Sequence, residues 1–185
     1  MNIDPKMLTI ILVGIVVIVA AAIWLASRRK AALRERFGPE YERSVRERGS
    51  ERAAQAALVE REKRVEKFHI RELDATERER FGERWHSVQS RFVDDPKGAV
   101  VEADDTVQLL MATRGYPMSD FDQRAADLSV DHPHVVENYR AAHTISLRHR
   151  RGETSTEDLR QAMIHYRSLF EELLHGRQPS DRKVA

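Results

Sequence analysis

The chain has 185 residues, of which 33% are charged and 41% hydrophobic, and its formal net charge is +1 at pH 7. The hydrophobic residues recur at regular spacing along the chain, which excludes a disordered composition. The length suits one folded domain beside a short anchor. The absence of cysteine excludes disulfides, thiolate metal sites and cysteine nucleophiles.

An uninterrupted apolar stretch, MLTIILVGIVVIVAAAIWLA, extends from Met7 to Ala26 without a charged residue. A helix of this length rises about 30 Å, which matches the hydrocarbon core of a bilayer. The stretch therefore predicts a transmembrane helix over residues 7–26. A buried core helix would carry a polar face, and a cleaved signal peptide would have a shorter apolar region and a more basic start, so both alternatives fit the pattern less well.

The charges that flank this stretch predict its orientation. Lys6 is the only basic residue before it, whereas Arg28, Arg29, Lys30 and Arg34 follow it closely. The positive-inside rule then places the N-terminal six residues outside and the rest of the chain in the cytoplasm, as in a single-pass N-out/C-in membrane protein. The same four cations after the span are the candidate ligands for lipid headgroups.

Residues 27–72 predict a basic helical stalk. From Arg28 to Glu72 the chain has 14 Lys and Arg against 9 Asp and Glu, whereas from Leu73 to Ala185 it has 16 against 20. The basic half next to the membrane favours contact with anionic lipid, and the acidic distal half argues against a nucleic-acid partner. The apolar seam of the stalk is too short to favour a coiled coil with a second copy over a solvated stalk.

Residues 73–176 predict a compact bundle of about five helices, followed by a flexible tail at 177–185. Phe81, Trp85, Val88 and Phe92 recur at helical spacing, and no segment alternates with a period of two for long enough to form a strand. The fold class is therefore expected to be all-α. Local signals place helix starts at Asp74, Asp95, Ser119, Asp131 and either Ser155 or Thr156, and helix ends at Gly115 and Gly176.

The segment RGYPMSDFDQRAADLSVDHPHVVENYRAAH, residues 114–143, mixes charged, aromatic and turn-forming residues and is the most unusual part of the bundle. One interpretation is structural: its ion pairs connect a short helix and its turns to the bundle. The other is a docking surface for a partner protein, because aromatic and arginine side chains dominate such surfaces. The partner-binding candidates are Arg114, Tyr116, Asp120, Phe121, Asp127 and Tyr139.

A metal- or ligand-dependent hydrolytic enzyme is the alternative function. Imidazole and carboxylate ligands suit zinc, iron or manganese, which makes Asp131, His132, His143 and His165 candidate metal ligands. However, no two histidines share one helical turn at i,i+4, and the chain has no HExxH motif, P-loop or Rossmann glycine pattern. Asp104 is expected at a helix surface or boundary. We therefore expect no metal, cofactor or catalytic residue, and enzymatic activity stays an open question.

Four strings after the anchor carry a resemblance. The chain resembles an uncharacterised family of small bacterial membrane-anchored or "secreted" hypothetical proteins. The resemblance implies a bacterial envelope location and transfers no catalytic residue. The strings are LRERFGPEYERSV, RFGERWHSVQSRFVDDP, RGYPMSDFDQRAADLSVDHPHVVENYRAAH and STEDLRQAMIHYRSLFEELL.

The function expected from these patterns is that of a membrane-anchored helical adaptor or scaffold. Its partners would be the lipid bilayer and either another protein or a second copy of itself. The anchor would raise the effective concentration of a weak binder at the membrane.

Overall fold

The computed structural model describes the backbone of residues 5–175 and the side chains of residues 12–175. These residues form eight helices and no strand, so the all-α class with one N-terminal apolar helix is confirmed. The total exceeds five because three helices precede residue 73, whereas the other five lie within residues 73–176, where a bundle of about five was expected. The helices are α1 Pro5–Phe37, α2 Pro39–Arg48, α3 Glu51–Val65, α4 Ala75–Asp94, α5 Pro96–Arg114, α6 Phe121–Asp131, α7 Val136–Arg150 and α8 Thr156–His175.

The chain divides into two compact units between Leu58 and Val59, within α3. In the first unit, α1 covers the predicted span 7–26 and continues without a break to Phe37. Gly38 then takes a positive φ of 48°, and Pro39 occupies the first position of α2, where its fixed φ and missing N–H cost nothing.

The second unit is a helical bundle with one continuous apolar core. Asp74 and Glu77 form a capping box at the start of α4, in which each side chain accepts from the backbone N–H of the other. Trp85 of α4 stacks on Phe170 of α8, with ring centroids 4.6 Å apart and planes 12° apart. The sequence prediction that Trp85 belongs to the core is confirmed.

Helix ends follow the predicted signals in some places and depart from them in others. Asp95 caps α5 through the Gly98 N–H, and Gly115 ends it in the left-handed conformation, both as predicted. Asp120 rather than Ser119 caps α6, because its carboxylate accepts from the Gln123 N–H. The next helix begins at Val136, after a turn, instead of directly at Asp131.

One expectation about burial is wrong. Asp104 was expected near a surface and is 6% exposed. The expected flexible tail 177–185 and the helix end at Gly176 lie outside the described residues.

Candidate functional site

The most unusual feature inside the bundle is a buried carboxylate on α5. Asp104 Oδ1 accepts a hydrogen bond of 3.0 Å from the Tyr166 hydroxyl, and its Oδ2 accepts one of 2.9 Å from Gln108 Nε2. The Tyr166 hydroxyl also lies 3.0 Å from the Ser146 hydroxyl. The nearest cation is Arg150, whose Nη2 is 3.9 Å from Oδ2. A buried carboxylate needs this number of partners to offset its lost hydration.

Tyr166 is held in its protonated form by these surroundings. Burial raises the pKa of Tyr166, and the negative charge of Asp104 raises it further. Because Tyr166 donates to Asp104, the Ser146 hydroxyl must in turn donate to Tyr166. The three groups therefore form a directed chain from Ser146 on α7 through Tyr166 on α8 to Asp104 on α5.

A second buried tyrosine, Tyr139 of α7, lies close to this chain but does not share its hydrogen bonds. Its side chain is fully buried, and among the described residues its hydroxyl has no partner with hydrogen-bond geometry. Burial raises the pKa of Tyr139 to about 12, although the nearby Arg124 guanidinium opposes the rise. The Tyr139 ring packs against Phe121, with centroids 4.8 Å apart. Tyr139 thus contributes packing and a neutral hydroxyl.

His143 completes the polar cluster, which we define as Asp104, Tyr139, His143, Ser146 and Tyr166. Its imidazole stacks on Phe121 with centroids 3.6 Å apart. Burial lowers the pKa of His143, and Asp104 partly opposes that effect. The imidazole and both phenols of the cluster are therefore neutral near pH 7.

Arg114, predicted as a partner-binding residue, makes its contacts within the bundle. Its side chain is 3% exposed, and Nη1 donates to the Leu173 carbonyl oxygen at 2.9 Å, near the C-terminal end of α8. Its own carbonyl oxygen accepts from the Arg71 N–H at 2.9 Å. The residue therefore joins the end of α5 to the end of α8 and to the segment before α4, and it satisfies a carbonyl that the helix leaves without a partner.

Most of the other partner-binding candidates also make internal contacts. Tyr116 donates from its hydroxyl to Asp131 at 3.0 Å. Asp127 accepts from Arg64 Nε at 2.8 Å and from Arg64 Nη2 at 2.6 Å. Phe121 is half-buried beside Tyr139, and Asp120 is exposed at the cap of α6. Arg114, Tyr116, Asp127 and Tyr139 are at most 3% exposed, so only Asp120 and Phe121 present surface to a partner in this conformation.

The four candidate metal ligands lie in different environments. Asp131 accepts from Tyr116, and His132 Nδ1 lies 3.0 Å from Glu172 Oε1 while its side chain is 1% exposed. His165 Nδ1 lies 3.0 Å from the amide oxygen of Asn138, and His143 stacks on Phe121. Within the part of the chain that the structure describes, no group of three or more His, Cys, Asp or Glu side chains could hold a metal ion.

The sequence analysis placed Asp104 at a helix surface or boundary and missed it as the buried carboxylate of the polar cluster. A signal was present, because Asp104 lies four residues after Val100 and three before Val107, which places it within the apolar stripe of α5. A carboxylate in such a stripe needs a buried donor. That donor, Tyr166, is distant in sequence, so the spacing alone could not identify it.

The four lipid-headgroup candidates fall into two pairs. Lys30 Nζ lies 2.6 Å from Glu51 Oε2, and Arg34 Nη2 lies 2.8 Å from Glu42 Oε1, so both cations are paired within the chain. Arg28 instead lies over the ring of Trp24, with its Cζ 4.2 Å from the ring centroid, and Arg29 is exposed.

The two tyrosines of the polar cluster provide a matched test of this arrangement. We expect Tyr166→Phe to reduce the free energy of unfolding by about 1–3 kcal/mol, because Asp104 and Ser146 both lose a buried partner. Tyr139→Phe should be neutral or slightly stabilising, since it removes a buried hydroxyl without a partner. Urea unfolding followed by circular dichroism in detergent measures both values. Equal effects of the two substitutions would contradict the assigned hydrogen bonds.

Comparison with known proteins does not add a family to these observations. No family model matches the chain, and neither a curated protein nor a solved structure matches it.

Proposed function

We propose that this protein is a single-pass, membrane-anchored helical module that binds another protein at the surface of the bacterial inner membrane. The observation that carries the proposal is the surface of α1. One helix, described over Leu12–Phe37, is long and apolar enough to cross a bilayer, with a mean hydropathy of 1.9 and none of its most apolar window buried.

The side chains of α1 favour lipid as their environment. Its Leu, Ile and Val residues between positions 12 and 25 are 50–69% exposed, and they surround the helix on all sides. A contiguous apolar surface of this kind is rare on soluble monomeric proteins, because its hydration is costly. A bilayer removes that cost, and the helix satisfies its own backbone hydrogen bonds within the lipid.

The flanking residues support an N-out/C-in orientation. Arg28, Arg29 and Lys30 follow the apolar part of α1 directly, and Trp24 lies one turn before Arg28, where interfacial aromatic residues are common. The folded second unit would then be cytoplasmic.

The surface of the bundle supports a binding role. A groove on α4 and α5 is lined by Phe81 and the 45% exposed Leu109, with Glu77, Arg80 and Arg84 on its α4 side and Thr113 on its α5 side. Glu77 is paired with Arg71 at 2.6 Å, and Arg84 Nε donates to the Thr106 hydroxyl. Within the described part of the chain, neither Arg80 nor Arg84 has a carboxylate within ion-pair distance. Apolar contact beside two cations suits a partner segment that carries apolar and acidic side chains.

Reporter fusions test the orientation. Alkaline phosphatase, which is active only outside the cytoplasm, should be inactive when fused to the C-terminus, whereas a fluorescent protein that folds in the cytoplasm should be bright. An active phosphatase fusion would contradict the proposed orientation.

Site-specific photocrosslinking tests the binding role. A photoreactive residue at Leu109 should give a discrete crosslinked product in intact cells, whereas one at the exposed Arg160 of α8 serves as the control position. We expect Arg84→Glu to weaken the Leu109 product several-fold by placing a like charge opposite an acidic partner. Products of equal intensity from both positions, or none from Leu109, would count against a partner at this groove.

A further inference from the structure

The first unit contains a helical hairpin that returns toward the membrane end of α1. Arg34 of α1 pairs with Glu42 of α2 at 2.8 Å, and Lys30 of α1 pairs with Glu51 at the start of α3 at 2.6 Å. The residue later in the chain, Glu51, pairs with the earlier residue of α1, Lys30, whereas Glu42 pairs with Arg34. α2 therefore runs antiparallel to α1. The ten residues of α2 rise about 15 Å, which is close to the rise of α1 from Arg28 to Phe37.

This return places the turn between α2 and α3 beside the end of the apolar span. The turn contains Gly49 and Ser50, and the Lys30–Glu51 pair holds it at the level of Lys30. Lys30 follows the span by only four residues, which is about 6 Å along the helix. The turn therefore lies at the depth where lipid headgroups would surround α1.

The cations around this turn lack carboxylate partners. Arg46, Arg48 and Arg52 are exposed, and in the described ranges none of them has an acidic group within ion-pair distance. Arg28 and Arg29, on α1, also have no such partner. By contrast, Lys30 and Arg34 form the ion pairs that connect α1 to Glu51 and Glu42. We call the five residues Arg28, Arg29, Arg46, Arg48 and Arg52 the basic collar.

We infer that the basic collar binds the phosphate groups of anionic phospholipids. Guanidinium groups form paired hydrogen bonds with phosphate oxygens, and basic clusters next to a membrane span attract anionic lipid. The inference rests on the proposed function, because it requires α1 to cross the bilayer. It differs from the expectation drawn from the sequence, since the fold withdraws Lys30 and Arg34 and supplies three arginines from beyond residue 45.

The test compares lipid preferences of the full chain reconstituted in bilayers of phosphatidylcholine. Electron paramagnetic resonance with spin-labelled phosphatidylglycerol and spin-labelled phosphatidylcholine gives the relative association of the two lipids. One cation near a membrane surface is worth about a fivefold change in association, so the wild-type protein should prefer phosphatidylglycerol by at least about fivefold. Adding inorganic phosphate should leave this preference unchanged when ionic strength is matched with sodium chloride.

The deciding variant is Arg46→Gln/Arg48→Gln/Arg52→Gln, which keeps Arg28 and Arg29 so that the orientation signal is preserved. Its preference should fall to less than about half of the wild-type value, because only Arg28 and Arg29 of the basic collar remain. The matched control is Lys67→Gln/Lys97→Gln/Arg160→Gln, which removes three exposed cations from the second unit outside the proposed partner groove and should behave as wild type. Circular dichroism checks that both variants are folded.

The outcomes distinguish failure of the lipid site from failure of the proposed membrane anchor. An undiminished preference in the collar variant, an equal loss in the control, or a preference abolished by inorganic phosphate would overturn the lipid site. A wild-type chain that inserts into the bilayer without any lipid preference would overturn it as well and leave the proposed anchor intact. A chain that does not remain with the bilayer on flotation would overturn both.

Discussion

Replacement of Trp85 by alanine should reduce the free energy of unfolding by about 3–5 kcal/mol. The indole is 5% exposed and stacks on Phe170, so its removal leaves a cavity where α4 meets α8. For a chain of this size the loss corresponds to a decrease in melting temperature of roughly 10 °C. Circular dichroism of the full chain in detergent measures the change. This signal does not depend on the fluorescence of the Trp85 indole, which the substitution removes.

Trp85→Phe is the matched control for this prediction. It keeps an aromatic ring against Phe170, and it removes an indole N–H that is buried without a hydrogen-bond partner among the described residues. The lost packing and the removed polar group have opposite effects, so we expect a change of less than about 1.5 kcal/mol. A melting temperature unchanged by Trp85→Ala would mean that the residue is exposed in solution and that the α4–α8 packing is incorrect.

Gly115→Ala should be the most damaging single-methyl change in the described bundle. Gly115 has a φ of 97°, which costs a residue with a Cβ about 1–2 kcal/mol, and the added Cβ would overlap the carbonyl oxygen of His69. The overlapped segment is fixed, because Arg71 N–H donates to the Arg114 carbonyl oxygen. Overpacking adds about 1–3 kcal/mol, so the expected loss is about 2–5 kcal/mol in urea unfolding.

Gly152→Ala measures the backbone strain of a positive φ separately from the overlap with the His69 carbonyl oxygen. Gly152 also has a positive φ, of 75°, but no atom lies within 4 Å of the place where its Cβ would be. Only the backbone strain of about 1–2 kcal/mol is therefore expected. If both substitutions cost the same, the close approach of the His69 segment to the end of α5 would be refuted.

Local signals made much of the fold predictable. The Asp74–Glu77 pair, the Asp95–Pro96 start and Gly115 each act through backbone groups within a few residues, so their spacing in the sequence carries the necessary information. Apolar residues at helical spacing correctly placed Trp85 in the core. Where two adjacent residues could serve the same role, as Ser119 and Asp120 could at the start of α6, the prediction missed by one position.

Long-range polar contacts were not predictable from the same patterns. Asp104 and Tyr166 are 62 positions apart, and Arg64 and Asp127 are 63 apart, so no periodicity connects them. The pairing depends on the order in which helices pack, which the apolar stripes do not specify. For the same reason the polar segment 114–143 left two interpretations open, internal ion pairs and a docking surface, and its residues Arg114, Tyr116 and Asp127 lie inside the bundle.

The basic collar illustrates the same difference at the membrane end of the chain. Counting charges near the span identified Arg28 to Arg34, because the positive-inside rule depends only on position along the chain. Arg48 and Arg52 were not candidates, since only the return of α2 brings them to the level of Lys30. The intramolecular carboxylates Glu42 and Glu51 then determine which cations stay available.

The membrane anchor is the central claim, and flotation of cell membranes on a sucrose gradient after alkaline carbonate washing tests it most directly. Intact mass of the floated protein shows whether Met7–Ala26 is still attached. We predict that the protein floats with the bilayer and retains this segment. A mature chain that begins beyond Ser27, or one that is released into the soluble fraction, would contradict the account.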